Sequence, residues 1–182
     1  MFSLFDPSDK CLTTTVSGVQ YGTWTAMTVT NLQSLAIDTT DPFAGWQSAK
    51  VDNQTSVLAD DYEIQFLLST AATAPANDKA VYAYIVPWSY DGSAWTPGAN
   101  FSTTTRPTGS EGTASISDPN SMKGPISFPY IITSQPIDGL FSLSQFLASP
   151  PQGWSLAFRN NCGAALGTGC VVSYRSVKYT ST

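Results

Sequence analysis

Short runs of alternating apolar and polar residues recur roughly every ten to fifteen residues along this chain, with Gly, Pro, Asn and Asp between them. This spacing is typical of an all-β sandwich, because each run can bury one face of a strand and each break can turn the chain. The pattern predicts a single antiparallel, jelly-roll-like β-sandwich of eight or nine strands over residues 1–182. The candidate strands are Cys11–Val16, Tyr21–Asn31, Trp46–Val51, Tyr62–Ser69, Lys79–Trp88, Thr113–Ser117, Ile126–Thr133, Trp154–Asn160 and Cys170–Tyr179.

The last thirty residues contain the clearest strand pattern. Apolar residues alternate with Ser155, Ala157 and Arg159 in the first run, and a second strand-like run follows a Gly-rich loop. This period of two predicts a closing β-hairpin with one buried face. We expect three side chains of the first run to be buried in the core: Trp154, Leu156 and Phe158.

The final run has an irregular parity. Val177 and Tyr179 lie on the opposite parity to Val172 and Tyr174. The strand therefore contains a bulge, or both of its faces are covered. In the second case we expect Val177 and Tyr179 to contact a neighbouring subunit.

Three further features refine the strand assignment. Residues 62–69 and 79–88 are predicted to pair as an antiparallel hairpin, and VYAYIVPW in the second arm is apolar on both faces, so another segment or subunit should cover it. Asp91-Gly92 favours a tight turn, which predicts a protruding hairpin from Trp88 to Trp95. Pro125 and Pro129 place their strand at a sheet edge or a bulge.

One short helix is expected near residues 138–147. Apolar residues recur there at helical spacing behind Asp138, a possible N-cap, and Pro150-Pro151 would end the helix. Nearly all other residues should form strands or loops.

Composition narrows the classes of partner. Charged residues make up 12% of the chain and the net charge is -5, without a cluster of Lys or Arg, so we expect no nucleic-acid partner. The N-terminus lacks the pattern of a secretory signal, and no run approaches the ~20 apolar residues of a membrane span. These features predict synthesis in a cytosol and no membrane partner. Cys11, Cys162 and Cys170 are expected to be buried thiols, although a bridge between Cys162 and Cys170 stays open.

The sequence contains no histidine, which excludes Ser-His-Asp and Cys-His catalysis and removes the commonest metal ligand. A carboxylate pair could still hydrolyse glycosides. However, most acidic residues fall in turn contexts such as TTDP, ADDY and YDGS, where Asp stabilises loops. We therefore predict no catalytic residue, no metal site and no cofactor.

Aromatic residues offer a different kind of site. Trp88, Tyr90, Trp95 and Phe101 cluster in and after the predicted protruding hairpin. Exposed rings of this kind can anchor a protein interface or stack on sugars, and core packing is an equally good interpretation. We place these four residues in a candidate assembly interface, together with Val177 and Tyr179.

Two segments extend this candidate interface. The N-terminal arm, residues 1–9, contains Phe2, Leu4 and Phe5, which we expect to dock onto a neighbouring subunit or onto their own domain. Residues 92–120 form a long insert rich in Ser, Thr, Gly and Pro. An insert of this length is uncommon in a compact domain unless it is functional or disordered.

Three motifs carry a family resemblance over residues 34–179. They are GWQSAKVDN, TAPANDKAVYAYIVPWSYDGSAWT and GWSLAFRNNCGAALGTG, the last followed by a strand containing SYRSV. Their recurring features fall on Trp46–Asn53, Pro75–Tyr84 and Trp154–Leu166. In these the chain resembles the jelly-roll head decoration (cement) proteins of tailed bacteriophages. It departs from the family in the 92–120 insert and in Cys162, where the family more often has a small hydroxyl residue.

The resemblance implies a non-enzymatic virion protein that binds the outer surface of the major capsid protein shell. It also implies a homo-oligomer, with a trimer favoured, and no catalytic residues. The alternatives are a tail, adaptor or fibre component, or a carbohydrate-binding β-sandwich whose aromatic residues near Trp88 and Trp95 stack on sugars. A glycoside hydrolase is a more distant alternative.

Overall fold

The computed structural model describes residues 4–5, 11–12, 16–38, 43–55, 58–71, 75, 80–98, 106–116, 122–129 and 137–181. Fourteen strands lie in this part of the chain: β1 (Leu4–Phe5), β2 (Cys11–Leu12), β3 (Val16–Tyr21), β4 (Thr25–Ala26), β5 (Phe43–Gln47), β6 (Val51–Asp52), β7 (Asp61–Leu68), β8 (Ala80–Tyr90), β9 (Trp95–Pro97), β10 (Gly112–Ile116), β11 (Lys123–Pro129), β12 (Ile137–Ser142), β13 (Gly153–Asn161) and β14 (Val171–Ser181). Two short 3₁₀ turns, Leu32–Ser34 and Leu143–Gln145, complete the described elements.

Two antiparallel sheets form the body of the protein. Sheet I has the order β10-β5-β13-β8-β11, with β6 paired to β13 and β9 paired to β8. Sheet II has the order β12-β7-β14-β3, with β4 paired to β14. Strands β1 and β2 make a separate two-stranded ladder. The curled sheets enclose one core, which confirms the jelly-roll-like β-sandwich.

The core lies between the two sheets and is rich in aromatic rings. Trp154, Leu156 and Phe158 of β13 are fully buried, as predicted. The ring of Phe158 meets Trp46 edge-on at 5.4 Å between centroids, and Trp154 lies 5.2 Å from the ring of Tyr62 in sheet II. Strand β13 therefore joins the two sheets through its side chains.

The predicted closing hairpin is wrong. Strand β13 belongs to sheet I and pairs with β8, whereas β14 belongs to sheet II and pairs with β7. Residues 162–170 connect the sheets, and Cys162 and Cys170 within this connection are free, buried thiols. A period of two identifies the buried face of a strand but not its hydrogen-bonded neighbour, so two strands facing each other across a core resemble a hairpin.

The same ambiguity affects β7 and β8, which the sequence predicts to form a hairpin but which lie in different sheets. The predicted helix near residues 138–147 is also wrong. Ile137–Ser142 is strand β12, which pairs with β7, and only Leu143–Gln145 forms a 3₁₀ turn. The ladder to β7 supplies the backbone hydrogen bonds that a helix would otherwise provide, while Phe141 and Leu143 still reach the core.

Other boundaries differ less. Strand β11 lies at the edge of sheet I with a register shift between Lys123 and Ile126, as its prolines predicted. Of the candidate strand 21–31, only Tyr21 and Thr25–Ala26 are strand. In the candidate strand Cys11–Val16, Cys11–Leu12 and Val16 are strand, and residues 13–15 lie outside the described residues.

The outer face of β8 is covered by the chain itself. Tyr84, Val86 and Trp88 are buried in a second cluster with Met122 and Ala114, so the apolar outer face predicted for VYAYIVPW is buried within one protomer. The 92–120 insert contains strands β9 and β10, and Ala114 of the edge strand β10 joins this cluster.

A buried amide joins the two sheets at one end of the sandwich. Asn53 follows β6, and its Oδ1 accepts hydrogen bonds from the Ala59 amide (2.9 Å) and from the Tyr62 hydroxyl (2.9 Å). Its Nδ2 donates to the Pro151 carbonyl at 3.3 Å. Burial raises the pKa of Tyr62 to about 12, with smaller contributions from Tyr174 and Asp52.

We predict that Phe158→Ala lowers the free energy of unfolding by about 3–5 kcal/mol, because it leaves a cavity between Trp46 and the opposite sheet. Urea denaturation followed by circular dichroism measures this loss. Leu58→Ala is the matched control, since Leu58 is 70% exposed and its truncation should change stability by less than about 0.5 kcal/mol. Equal losses in the two variants would contradict the assigned core.

We also predict that stability falls as the pH rises from about 10 to about 12. The unfolded chain releases the Tyr62 proton near pH 10 while the folded chain retains it, so rising pH favours unfolding by about 1.4 kcal/mol per unit. Thermal unfolding midpoints across this range measure the effect. Tyr62→Phe should be less stable at pH 8, having lost the bond to Asn53, and should show a shallower alkaline decline. An unchanged decline would contradict this assignment.

Candidate interaction surface

Strand alternation divides the side chains of sheet II between the core and solvent. In β14, Val172 points into the core, and residues of the opposite parity point outward. The register places Tyr21 of β3 opposite Val177, and Val19 opposite Tyr179. Sheet II therefore carries an outer face that includes both β3 and β14.

This outer face is apolar and exposed. Six large apolar side chains that lie on it or border it are 40–58% exposed, and across the described residues only Ile37 and Leu58 are comparable. The outer face of sheet I differs, because the chain itself buries Tyr84, Val86 and Trp88 there. The six side chains are Val19, Tyr21, Trp24, Leu140, Val171 and Tyr179.

Arg175 lies at the centre of this face. Its guanidinium carbon is 4.2 Å from the ring centroid of Tyr21 and 4.7 Å from that of Trp24. Its Nε and Nη2 donate to Oε2 of Glu63 at 2.7 and 2.6 Å, so the positive charge is neutralised within the sheet. Trp, Tyr and Arg are the side chains most enriched in the energetic centres of protein interfaces.

Two aspartates lie near Tyr179 at one end of the face. The backbone amide of Tyr179 donates to Asp60 at 2.7 Å. Asp61 is buried and accepts hydrogen bonds from the Ser144 amide (3.0 Å) and hydroxyl (2.6 Å). Partial burial, and then the charge of Asp61 among other neighbours, raises the pKa of Tyr179. We call the exposed side chains Val19, Tyr21 and Tyr179 the aromatic end.

A shallow depression of about 240 Å³ lies toward the other end of β14. It opens between β7 and β14, and we call it the apolar hollow. Its lining residues are Gln65, Phe66, Leu67, Val171 and Ser173.

The structure brings together two of the predicted interface residues on this face. Val177 is buried beside Tyr21, and Tyr179 is half-exposed in the aromatic end. The β14–β7 register runs unbroken from Val171 to Val177, so no bulge in that ladder explains the parity. Instead, the outer side of the strand is apolar as well as the inner side.

The predicted aromatic cluster occupies a different place. Trp88 is buried, and its indole N–H donates to the Ser155 hydroxyl at 2.9 Å. The β8–β9 hairpin forms as predicted and pairs Tyr90 with Trp95, and Lys50 Nζ lies 3.6 Å from the centroid of Trp95. Leu4 and Phe5 lie in β1. The predictions for the side chains of Phe2, Leu4, Phe5 and Phe101 concern groups outside the described residues.

Sequence reasoning missed Tyr21, Trp24, Leu140 and Arg175. The available signal was the presence of apolar residues on both parities of β14, because a strand with one solvated face should carry polar residues there. The pairing of β14 with β3 was needed to place Tyr21 on the same face.

Several of the described acidic residues make contacts that stabilise the fold. Glu111 accepts three hydrogen bonds, two from Asn31 and one from the Trp46 indole, which lower its pKa although partial burial alone would raise it. Asp91 accepts bonds from Ser93 and Ala94 in the exposed turn of the β8–β9 hairpin. Asp38 pairs with Arg159 at 3.2 Å. Asp41, one of the sequence's candidate carboxylates, lies outside the described residues.

No family model and no curated protein matches this chain. In the ranges that the structure describes, no three His, Cys, Asp or Glu residues are grouped so as to hold a metal ion. Over the same ranges, no helix has the length and apolar character needed to span a membrane. The exposed apolar face of sheet II is therefore the feature that points most directly to a function.

We predict a favourable coupling of about 0.5–1 kcal/mol between Arg175 and Trp24, the value typical of an exposed cation–π contact. The cycle uses Arg175→Met and Trp24→Leu, and the free energy of unfolding of the four proteins measures it. The cost of leaving Glu63 unpaired occurs on both sides of the cycle and cancels.

A control cycle combines Arg175→Met with Leu140→Ala. These residues lie on the same face but on strands separated by β7, so their coupling should be near zero. Similar coupling energies in the two cycles would contradict the placement of Arg175 between Tyr21 and Trp24.

Proposed function

We propose that this chain is a non-enzymatic structural protein of a bacteriophage virion, most specifically a decoration or cement protein on the outer surface of the capsid shell. The observation that carries the proposal is the exposed apolar face of sheet II, since such a patch marks an interaction site in a folded protein. The resemblance to head decoration proteins supplies the class of partner, the major capsid protein.

The positions of the resembling motifs agree with a structural role for them. Trp46 and Trp154 are fully buried, and Asn53 forms the buried hydrogen-bond network between the sheets. The motifs therefore maintain the sandwich, and contacts with a shell would be made by surface residues that vary between proteins of one fold.

Many copies on a shell make modest contacts sufficient. Each copy needs only a weak interaction if neighbouring copies also contact one another, because linked sites raise the effective concentration of each. The proposal includes assembly into a homo-oligomer, for which the resemblance favours a trimer. It also includes synthesis in the host cytoplasm and addition to the outer capsid surface.

A carbohydrate-binding module is the second candidate. The exposed rings of Tyr21 and Trp24 favour it, because aromatic rings can stack on sugar faces. The position differs from the one expected near Trp88 and Trp95, since Trp88 is buried and Lys50 lies over Trp95. A glycan array with the unmodified protein and with Trp24→Ala tests this candidate, and the absence of binding by the unmodified protein would exclude it.

We predict hundreds of copies of this protein per purified particle, measured by quantitative mass spectrometry against the major capsid protein. Particles stripped of the protein should release their genome at a lower temperature, and added protein should restore the original temperature. A handful of copies would indicate a tail, adaptor or fibre component instead. Absence from purified particles would overturn the proposal.

A further inference from the structure

We infer that the outer face of sheet II binds a second copy of this chain, in a two-fold pair in which the aromatic end of each copy packs into the apolar hollow of the other. The inference replaces the trimer that the resemblance favours with a two-fold pair formed through this face. It concerns the isolated protein, so contact with a capsid shell would fall to other parts of the surface of the pair.

The area of the face suits a dimer. A fully buried aromatic side chain removes about 150–250 Å² from solvent, so each half-exposed ring on the face offers roughly 100 Å². The six exposed side chains together offer several hundred Å². A stable interface buries about 800 Å² on each partner, of which an apolar centre is the main part. The apolar area is therefore close to what one half of a dimer interface requires.

The charges of the face are compatible with self-association. A chain with a net charge of -5 repels its own copies unless the contact area is neutral. Arg175 is the central charge, and Glu63 neutralises it within the same protomer. The exposed carboxylate of Asp60 accepts a hydrogen bond from the Tyr179 amide beside the aromatic end, and Asp138 is aligned through Leu67 with Val171 of the hollow. The centre of the contact therefore carries no unpaired charge.

The arrangement along β14 selects a second copy rather than an unrelated partner. Val171 lines the apolar hollow and Tyr179 lies in the aromatic end, with Arg175 midway between them on the same side of one strand. Eight residues of strand separate the two features by about 26 Å. A two-fold axis that lies between the stacked faces over Arg175, perpendicular to β14, exchanges the two positions.

This geometry follows the rules of sheet packing. Rotation about this axis places the outer face of one copy on that of the other. The strands of the two copies are then nearly aligned, and this alignment is common in packed sheets. Each Tyr179 then lies over Val171 and Ser173 of the other copy, and both contacts form at once. Such a contact is isologous and closes at two copies.

The test uses two charge variants. Each variant alone should prevent the pair from forming, and an equal mixture of the two should form it. Val171→Lys places a cation in the hollow, and Tyr179→Glu places an anion at the aromatic end, so each variant alone would bury unpaired charges. In an equal mixture, the introduced carboxylate of one copy meets the introduced ammonium group of the other, and the second contact keeps its native residues. Sedimentation velocity measures the mass of each sample.

We expect two copies for the unmodified protein, one copy for each variant alone, and two copies for the mixture. The dissociation constant of each single variant should be raised about tenfold or more. Ile37→Lys is the matched control: Ile37 is 42% exposed, close to the 45% of Val171, but lies beside Gly45 and Thr113 of sheet I. It should leave the pair intact, and circular dichroism checks that every variant is folded.

Several results would overturn the inference. They are a single copy or a trimer for the unmodified protein, a mixture that stays dissociated, or equal dissociation by Ile37→Lys and Val171→Lys. If the unmodified protein has the mass of one copy while Val171→Lys lowers the number of copies on particles, the face binds the shell. That outcome would reject the second copy and leave the proposed function standing.

Discussion

Strand β13 is buried on both of its faces, and the rest of the structure depends on what covers it. Its inward side places Trp154, Leu156 and Phe158 against sheet II, and its outward side places Ser155 and Ala157 among the buried side chains on the outer face of sheet I. Because a fully buried strand needs partners on both faces as well as on both edges, β13 fixes the positions of β5, β8 and sheet II together.

The two outer faces of the sandwich have different roles for this reason. The outer face of sheet I is buried within the chain, because a central strand with apolar residues on both sides must be shielded from water on both. Sheet II has no equivalent requirement, since the outward residues of β14 and β7 include Arg175, Glu63 and Gln65, which tolerate water. Apolar residues on this face are therefore not explained by folding, and an interaction with another molecule explains them better.

The sequence predicted the strand content well and the pairing poorly. The alternation in 154–158 correctly indicated a strand with a buried side, and Pro125 and Pro129 correctly indicated an edge. Alternation carries no information about which strand lies alongside, so β13 and β14 were paired although they face each other across the core. The helix near 138–147 failed because a ladder to β7 outweighed the local spacing of apolar residues. Tyr21 and Trp24 could not be placed on the outer face of sheet II without the pairing of β3 and β4 with β14.

The covering of sheet I has a consequence for growth. A sandwich with two bare apolar faces could stack without limit, each copy offering a fresh face to the next, as sheet proteins do in fibrils. Here the apolar outer side of sheet I is buried within the protomer, so in the proposed pair each copy associates through the outer face of sheet II. Once the pair has formed, both of these faces are buried. Further growth would then need a different part of the surface.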